Sequence, residues 1–518
     1  MSSSVSSNVP VTPNRPPQTS LAAELSPRRV VVLTGGIMLG IFMASMEATV
    51  VATAMPTIVG QLGGLDTYSW VFSGYMLTST TTVPLYGKFS DLFGRRKVFA
   101  VSMALFLIGS LLCGLAQSMP QLIAFRMVQG LGAGGLLPLA FIIIGELFDY
   151  EQRARMQGLF AGVWGVSSIV GPLLGGFLVD QVSWPWVFLV NLLPGAFTGV
   201  LVWFLLPPSR RPRATGVRVD YAGAAILTAG VTLLLLGLLE LGTALGWGLL
   251  ALSAALLAAL VWVERRAPDP ILPVRLFRDR LFAVACVHGL LAGWAMFGSL
   301  SYVPLFVQAV LGTSATAAGS TLTPLMLSWV LASVVSSRLL LVMRYRPLVI
   351  GGMGLLVAGA FLLAQAGVNS SQASLMLALG LMGSGMGLSI PVFLIVVQST
   401  VPRRDLGAAT STLQFTRSMG GTIGVSVMGA ALAVWLAGNL GAAGLGPDAA
   451  SLTTLLDPAA SAEVITANSA LREALAGALR GTFGLALAGA VLALGAVLFA
   501  PGGNLAEASA EASAQIGD

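Results

Sequence analysis

Apolar stretches of about 20 residues recur along almost the whole chain, each long enough to cross a bilayer core of about 30 Å as a helix. That pattern restricts the fold to a bundle of membrane helices, because inside lipid every backbone amide must be satisfied by a helix or a closed barrel. The strand-length alternation that marks a membrane barrel is absent. Of 518 residues, 56% are hydrophobic and 9% charged, and mean hydropathy is +0.88. A soluble domain carries about 25% charged residues. The net charge of +6 is spread over the loops between spans, which excludes a nucleic-acid patch.

Segmentation gives fourteen spans, at 30–58, 68–86, 97–117, 121–146, 155–179, 186–206, 220–240, 246–263, 281–309, 316–340, 348–367, 373–398, 407–437 and 480–500. An even count puts both termini on one side. Of the 27 Lys and Arg, all except Arg126, Arg417, Arg472 and Arg480 lie in the N-terminal tail or in every second loop. Cations of short loops stay inside, so both termini are expected to be cytoplasmic. The expected organisation is a Ser/Pro/Thr-rich disordered tail at 1–29, a six-span bundle at 30–206 and an inserted pair with basic cytoplasmic linkers at 207–280. A second six-span bundle follows at 281–500, with an extracytoplasmic loop at 438–479, and then a C-tail at 501–518. The N-terminal tail is too polar for a signal peptide. Cys113 and Cys286 sit inside apolar runs and read as packed thiols.

The chain repeats itself. Gly130-Leu-Gly132-Ala-Gly134-Gly-Leu-Leu-Pro138 recurs in register as Gly383-Ser-Gly385-Met-Gly387-Leu-Ser-Ile-Pro391. Parallel halves of this kind are a transporter architecture.

Four constellations carry candidate chemistry. Glu47, in Met46-Glu47-Ala-Thr-Val-Val-Ala-Thr-Ala-Met55-Pro56, lies well inside the first span. An ionised group there costs ~2.5–3.5 kcal/mol, so it must pair, face a cavity or bind a proton. Desolvation favours its protonated form, as a proton carrier requires. The plainer alternative is a structural acid bonded to a neighbouring helix. Arg126, in Arg126-Met-Val-Gln129-Gly130-Leu-Gly132, lies early in the fourth span. A guanidinium stays charged almost anywhere, so beside Glu47 it would hold the ionised acid and, on leaving, release a proton-binding one. Its alternative is snorkelling to the outer surface. Gly162-Val-Trp164-Gly165-Val-Ser-Ser-Ile-Val-Gly171-Pro172-Leu-Leu-Gly175-Gly176 has the small-residue spacing of close helix approach, with Pro172 as a bend. Between the second and third spans, Gly87-Lys-Phe-Ser-Asp91-Leu-Phe-Gly94-Arg95-Arg96-Lys97 reads as a tight charged loop. Asp91 and Arg95 could lock helix ends there, with Asp91 at the positive end of a helix dipole. The second-half counterpart near 336–347 has cations but no acid.

Weaker candidates remain open. Arg417, in mid-span, would bind an anionic group, pair with Glu47 or tether helices. His288, the one histidine, would titrate or pack as a hydrogen-bonder. Trp164, Trp294, Met296, Phe297 and Tyr302 would line a cavity or pack against neighbours and lipid.

The Gly-x-x-x-Asp-x-x-Gly-Arg-Arg-Lys loop closely resembles a signature of the major facilitator superfamily. The Glu47 segment resembles the first-helix motif of its fourteen-helix drug:proton antiporters, with Met46, Glu47 and Met55 where that motif has Leu, Asp and Leu. The Arg126 segment matches the superfamily's fourth-helix motif. The Gly171-Pro172-x-x-Gly175-Gly176 ending resembles its antiporter signature. Over residues 28–500 the resemblance implies an all-α polytopic membrane protein with two six-helix bundles and two inserted central helices. It implies proton-coupled efflux of lipophilic, cationic drugs from a bacterial cytoplasmic (inner) membrane. The roles implied are proton coupling for Glu47 and Arg126, and a cytoplasmic gate for Gly87, Asp91, Gly94, Arg95 and Arg96. No cofactor or metal is implied beyond the proton gradient. The expected partners are a small lipophilic substrate, protons and the lipid bilayer, with any periplasmic accessory protein left unidentified.

No Gly-x-x-x-x-Gly-Lys-Ser/Thr loop is present to drive transport by hydrolysis. One histidine rules out a His-Glu-x-x-His site, and Ser384 has no evident base, so an enzyme is disfavoured. The rival transport reading is export of a lipid or an anionic metabolite, favoured by Arg126 and Arg417. A non-transporting sensor is more distant.

Overall fold

The computed structural model describes residues 25–62, 68–148, 150–208, 220–267, 270, 272, 274–313, 315–402, 405–442 and 469–502. Helices α1 (Pro27–Leu62), α2 (Tyr68–Phe93), α3 (Arg95–Gly114), α4 (Met119–Leu147) and α5 (Tyr150–Gln181) lead into a broken span made of α6 (Trp186–Leu189) and α7 (Leu192–Leu205). The hairpin α8 (Tyr221–Leu239) and α9 (Ala244–Glu264) follows. After a 3-10 turn at Val274–Arg278 come α10 (Arg280–Leu305), which ends in a π turn, α11 (Ala315–Leu339), α12 (Tyr345–Ala364), α13 (Gln372–Thr400), α14 (Leu406–Ala442) and α15 (Ser469–Leu498). Among the described residues eleven helices are long and apolar enough to cross a membrane. The crossings expected in α2, α5 and α8 are not among them.

Polar residues just outside the apolar runs start several helices. Asp220 accepts from the Gly223 amide at 2.7 Å, Thr243 from Gly246 at 2.9 Å and Asp279 from Leu281 at 2.7 Å. Each side-chain oxygen satisfies an amide that has no partner within its helix.

Three boundaries differ from expectation. The supposed loop at 87–97 is mostly helix: α2 runs to Phe93 and α3 begins at Arg95, with Gly94 (φ 88°) as the one break. A left-handed backbone turns the chain in one residue, which glycine alone adopts without strain. The span at 186–206 breaks at Val190 and Asn191. Pro194 has no amide to donate back to Val190, so the helix restarts there with proline in its first turn. The long loop expected at 438–479 is shorter, because α14 continues to Ala442 and α15 starts at Ser469. The stretch from Ser469 is made of strong helix formers and buries Leu471, Leu475 and Leu479 on one face. Residues 443–468 lie outside the described residues, as do the tails at 1–24 and 503–518. Two of the arginines that broke the charge pattern close helix ends: Arg472 donates to the Val310 and Val368 carbonyls, Arg480 to Ala366.

Helices α1–α7 pack on one another, and so do α10–α15. The two groups meet along two lines, α2 against α14 and α5 against α11. Helices α2 and α11, like α5 and α14, are equivalents under the internal repeat. The α8–α9 hairpin packs through Leu227, Val231, Leu235 and Leu260 on Leu77 of α2 and Met419 of α14, so it lies along the first line only. Large apolar side chains such as Leu193 (83% exposed), Phe204 (75%) and Trp247 (62%) point outward, as lipid contact requires.

Candidate functional site

Glu47 is placed by α1 at the centre of the first half and is 1% exposed. Arg126 of α4, also 1% exposed, donates from Nη1 to Glu47 Oε1 at 2.7 Å and to Gln129 Oε1 at 2.6 Å. Its Nε donates to the Val71 carbonyl at 3.3 Å, and its guanidinium lies 4.1 Å from the Tyr75 ring centroid. Gln129 donates to Glu47 Oε1 at 3.0 Å and to Ser110 Oγ at 2.8 Å. Asn191, freed by the helix break, donates to Glu47 Oε2 at 2.5 Å. The carboxylate of α1 is thus bonded from α4 and from the α6–α7 break, and α2 and α3 hold its partners Arg126 and Gln129. A buried ion pair persists only when its remaining lone pairs and protons are satisfied, as they are here. Arg126 does not snorkel.

Close helix approach builds this cluster. At Gly130 a side chain would collide with the Tyr75 backbone and Thr78 of α2, and at Gly132 with the backbone of α3. The repeated glycines therefore bring α4 against α2 and α3 and carry Arg126 and Gln129 to Glu47.

The second cluster lies where α2 meets α3, at what we call the basic end. Asp91 pairs with Arg95 at 2.6 Å, and Arg95 pairs with Glu146 at the end of α4 at 3.0 Å. Arg95 also donates to Ser90 Oγ at 3.0 Å. Asp91 then crosses between the halves, accepting from the Gly407 amide at 3.3 Å and the Ala408 amide at 3.0 Å. These are first-turn amides of α14, so the carboxylate sits on the positive end of that helix. Gly87 lets α2 come this close, since a Cβ there would lie 2.8 Å from the Gly407 carbonyl. Arg96 instead stacks 4.4 Å from the Trp203 ring centroid. Arg275, in the turn after the hairpin, pairs with Asp405 beside the same helix start. Across the second line Arg153 donates to the Gln398 carbonyl at 3.4 Å.

The antiporter-like glycines divide. Gly165 meets Val330 of α11, with 3.2 Å to a Cβ built on it, whereas Gly162 and Gly176 face open space. Gly171 and Gly175 are buried, and the side chain of Pro172 lies outside the described residues. Trp164 is half-buried against the core, and Trp294 packs on Gly489 of α15. His288 and Arg417 line a void in the second half together with Gln414. Arg417 does not reach Glu47.

Gln129, Asn191, Ser110 and Tyr75 at the first cluster, and Glu146 with the α14 amides at the second, were not singled out from the sequence. Gln129 stood in the quoted motif. Asn191 had one signal, a proline three residues on in an otherwise apolar run.

Comparison with known proteins places the chain. The model of the Major Facilitator Superfamily matches residues 37–425. Multidrug transporter protein MdtP of Bacillus subtilis is 37% identical over 412 residues, 78% of this chain and 75% of that protein. Multidrug resistance protein 3 of the same organism is 37% identical over 417 residues, 79% and 80% respectively. Among solved structures, the proton:xylose symporter XylE superposes with a TM-score of 0.62 at 14% identity, covering 94% of this chain and 99% of that one. At that identity the likeness is one of fold.

Proposed function

The chain belongs to the Major Facilitator Superfamily, a multi-pass transporter fold, and we propose that it exports lipophilic, cationic drugs in exchange for protons. The observation that carries this reading is Glu47, buried and ionically paired to Arg126 inside the first half. On the positive-inside argument the basic end faces the cytoplasm and both termini lie there, in a bacterial cytoplasmic membrane crossed fourteen times.

The cycle proposed is alternating access. Asp91 on the start of α14 holds the cytoplasmic ends together, which corresponds to an outward-facing form with Glu47 ionised. Protonation of Glu47 from outside removes the charge that Arg126 and the Asn191 amide donate to. Asn191 Oδ1 has no partner, and half a turn of the amide would present it to the protonated acid. Arg126 is then released, the halves rock and the cytoplasmic end opens. There the acid gives its proton to the cytoplasm and a lipophilic cation gains from the carboxylate left behind in a low-dielectric site, so drug and proton compete for one charge. One proton in for one monovalent cation out moves no net charge, so the pH gradient drives the exchange, with about 1.4 kcal/mol and one decade of drug gradient per pH unit.

Adding tetraphenylphosphonium to lightly buffered purified protein is expected to release protons, and Glu47→Gln protein to release none. Release undiminished in the variant would remove Glu47 from the exchange. No release from the wild type would remove the exchange itself.

Asp91→Asn keeps the shape but removes the charge on the α14 start and the partner of Arg95. It is expected to shift the protein toward forms open at the basic end and to lower turnover several-fold. The check is the spin-label distance between positions 97 and 342, exposed on the two halves at that end. A distribution unchanged from wild type would dismiss the latch.

A further inference from the structure

Every deeply buried arginine described above has an acid beside it, Arg95 with Asp91 and Glu146, Arg126 with Glu47. Arg417 has neither an ion pair nor a side-chain hydrogen bond among the described residues, although it stands about 15 Å along α14 from the Asp91 contact, deep in the hydrocarbon layer. Arg417 borders the second-half void, which is about 20 Å³ in this conformation. Gln414, one turn back on the same face of α14, borders it too. From α10 comes His288, 1% exposed, whose Nε2 has no partner among the described residues. Its ring lies 4.9 Å from that of Phe393, and Phe393 and Leu394 of α13 form an apolar wall. No carboxylate among the described residues borders the void.

An unpaired guanidinium in such a setting is expensive to keep. Three residues with side chains able to donate line one space, with apolar walls that strengthen their attraction for an anionic group placed between them. The void has room for about one water molecule, the size of a single carboxylate oxygen, and widens as the halves separate. We propose that Arg417, Gln414 and His288 form an oxyanion subsite that receives the carboxylate of an amphoteric drug. The amine of that drug answers to Glu47 and its carboxylate to Arg417, so the two halves read opposite charges of one substrate class. The bulk of the molecule is taken up as the halves separate.

The proposal rests on the efflux reading, and its test separates the two. Rhodamine 110 carries a free carboxylate, and rhodamine 123 is its methyl ester. Binding of each dye to purified full-length protein in lipid nanodiscs is followed by fluorescence anisotropy. Wild type is expected to bind rhodamine 110 about tenfold more tightly than rhodamine 123, the scale of a charged hydrogen bond. Arg417→Gln is expected to lose that tenfold for rhodamine 110 and to leave rhodamine 123 unchanged. Gln414→Leu, which keeps the arginine, is expected to weaken rhodamine 110 alone by a few-fold and serves if Arg417→Gln does not fold. Equal binding of the two dyes by wild type, binding of neither, or a parallel loss of both in the variants overturns the subsite. Export of rhodamine 123 by proteoliposomes without any carboxylate preference overturns the subsite alone. A preserved preference without export of either dye overturns the efflux reading alone.

Discussion

Glu47→Gln is expected to reduce drug export driven by a pH gradient to the level of empty vesicles. The carboxamide has the size of the protonated acid and is as neutral, so it copies one state of the proposed cycle and cannot reach the other. The variant should lose stability, because Arg126 loses its ionised partner. The fold should survive, since the carboxamide oxygen can still accept from Arg126, which also keeps Gln129 Oε1 at 2.6 Å, the Val71 carbonyl at 3.3 Å and the Tyr75 face. Drug exchange without a gradient separates loss of coupling from loss of the carrier and should persist in part. Glu47→Asp should retain a fraction of the driven rate. Its carboxylate is one methylene shorter and draws back from Arg126 and Asn191, but it still titrates. Wild-type rates of driven export by the Glu47→Gln protein, reconstituted with an imposed gradient, would sink the assignment.

The second large effect is on stability. Arg126→Met removes the cation and leaves an acid that is 1% exposed facing a thioether. Breaking a buried pair from one side costs roughly 3–5 kcal/mol, whereas replacing both members is often close to neutral. The single variant should therefore melt well below wild type in detergent. The double variant Glu47→Gln with Arg126→Met should regain most of that loss while remaining inactive. A double variant as unstable as the single one would show that Arg126 supports the bundle through Val71 and Tyr75 and not through the acid. Arg126→Lys should fall between, since an ammonium cannot reproduce the planar reach to Glu47, Gln129 and the Val71 carbonyl together.

The membrane fold was legible because hydropathy and loop charge act over whole segments and survive small errors at their ends. The repeat of Gly130 and Gly383 likewise marked two equivalent halves. What escaped was set by tertiary geometry. Nothing in the order of residues says that Asp91 meets amides of α14, because backbone groups have no sequence signature. Asn191 looked like an interruption in an apolar run, and only the break before Pro194 turns it toward Glu47. The aromatic candidates were read by type alone. Trp294 serves packing against α15, while the less conspicuous Gln414 joins Arg417 and His288 at the void. The supposed loop at 87–97 erred in the opposite sense, for helices continue beyond the hydrocarbon layer when their last turn is held by contacts such as Ser90 to Gly87, at 2.7 Å.

A hydrophobic molecule dissolved in a leaflet can slip between the two halves only where helices of different halves part. The repeat supplies two such portals, related by rotation about the axis between the halves. The α8–α9 hairpin closes one of them, with Leu227 and Val231 wedged over Leu77 and Met419. Among the described residues no helix outside the two halves covers the other, between α5 and α11. On the proposed function, acyl chains and whatever they carry would meet the transporter from a single flank, so that an architecture built by duplication would take up lipophilic solutes asymmetrically.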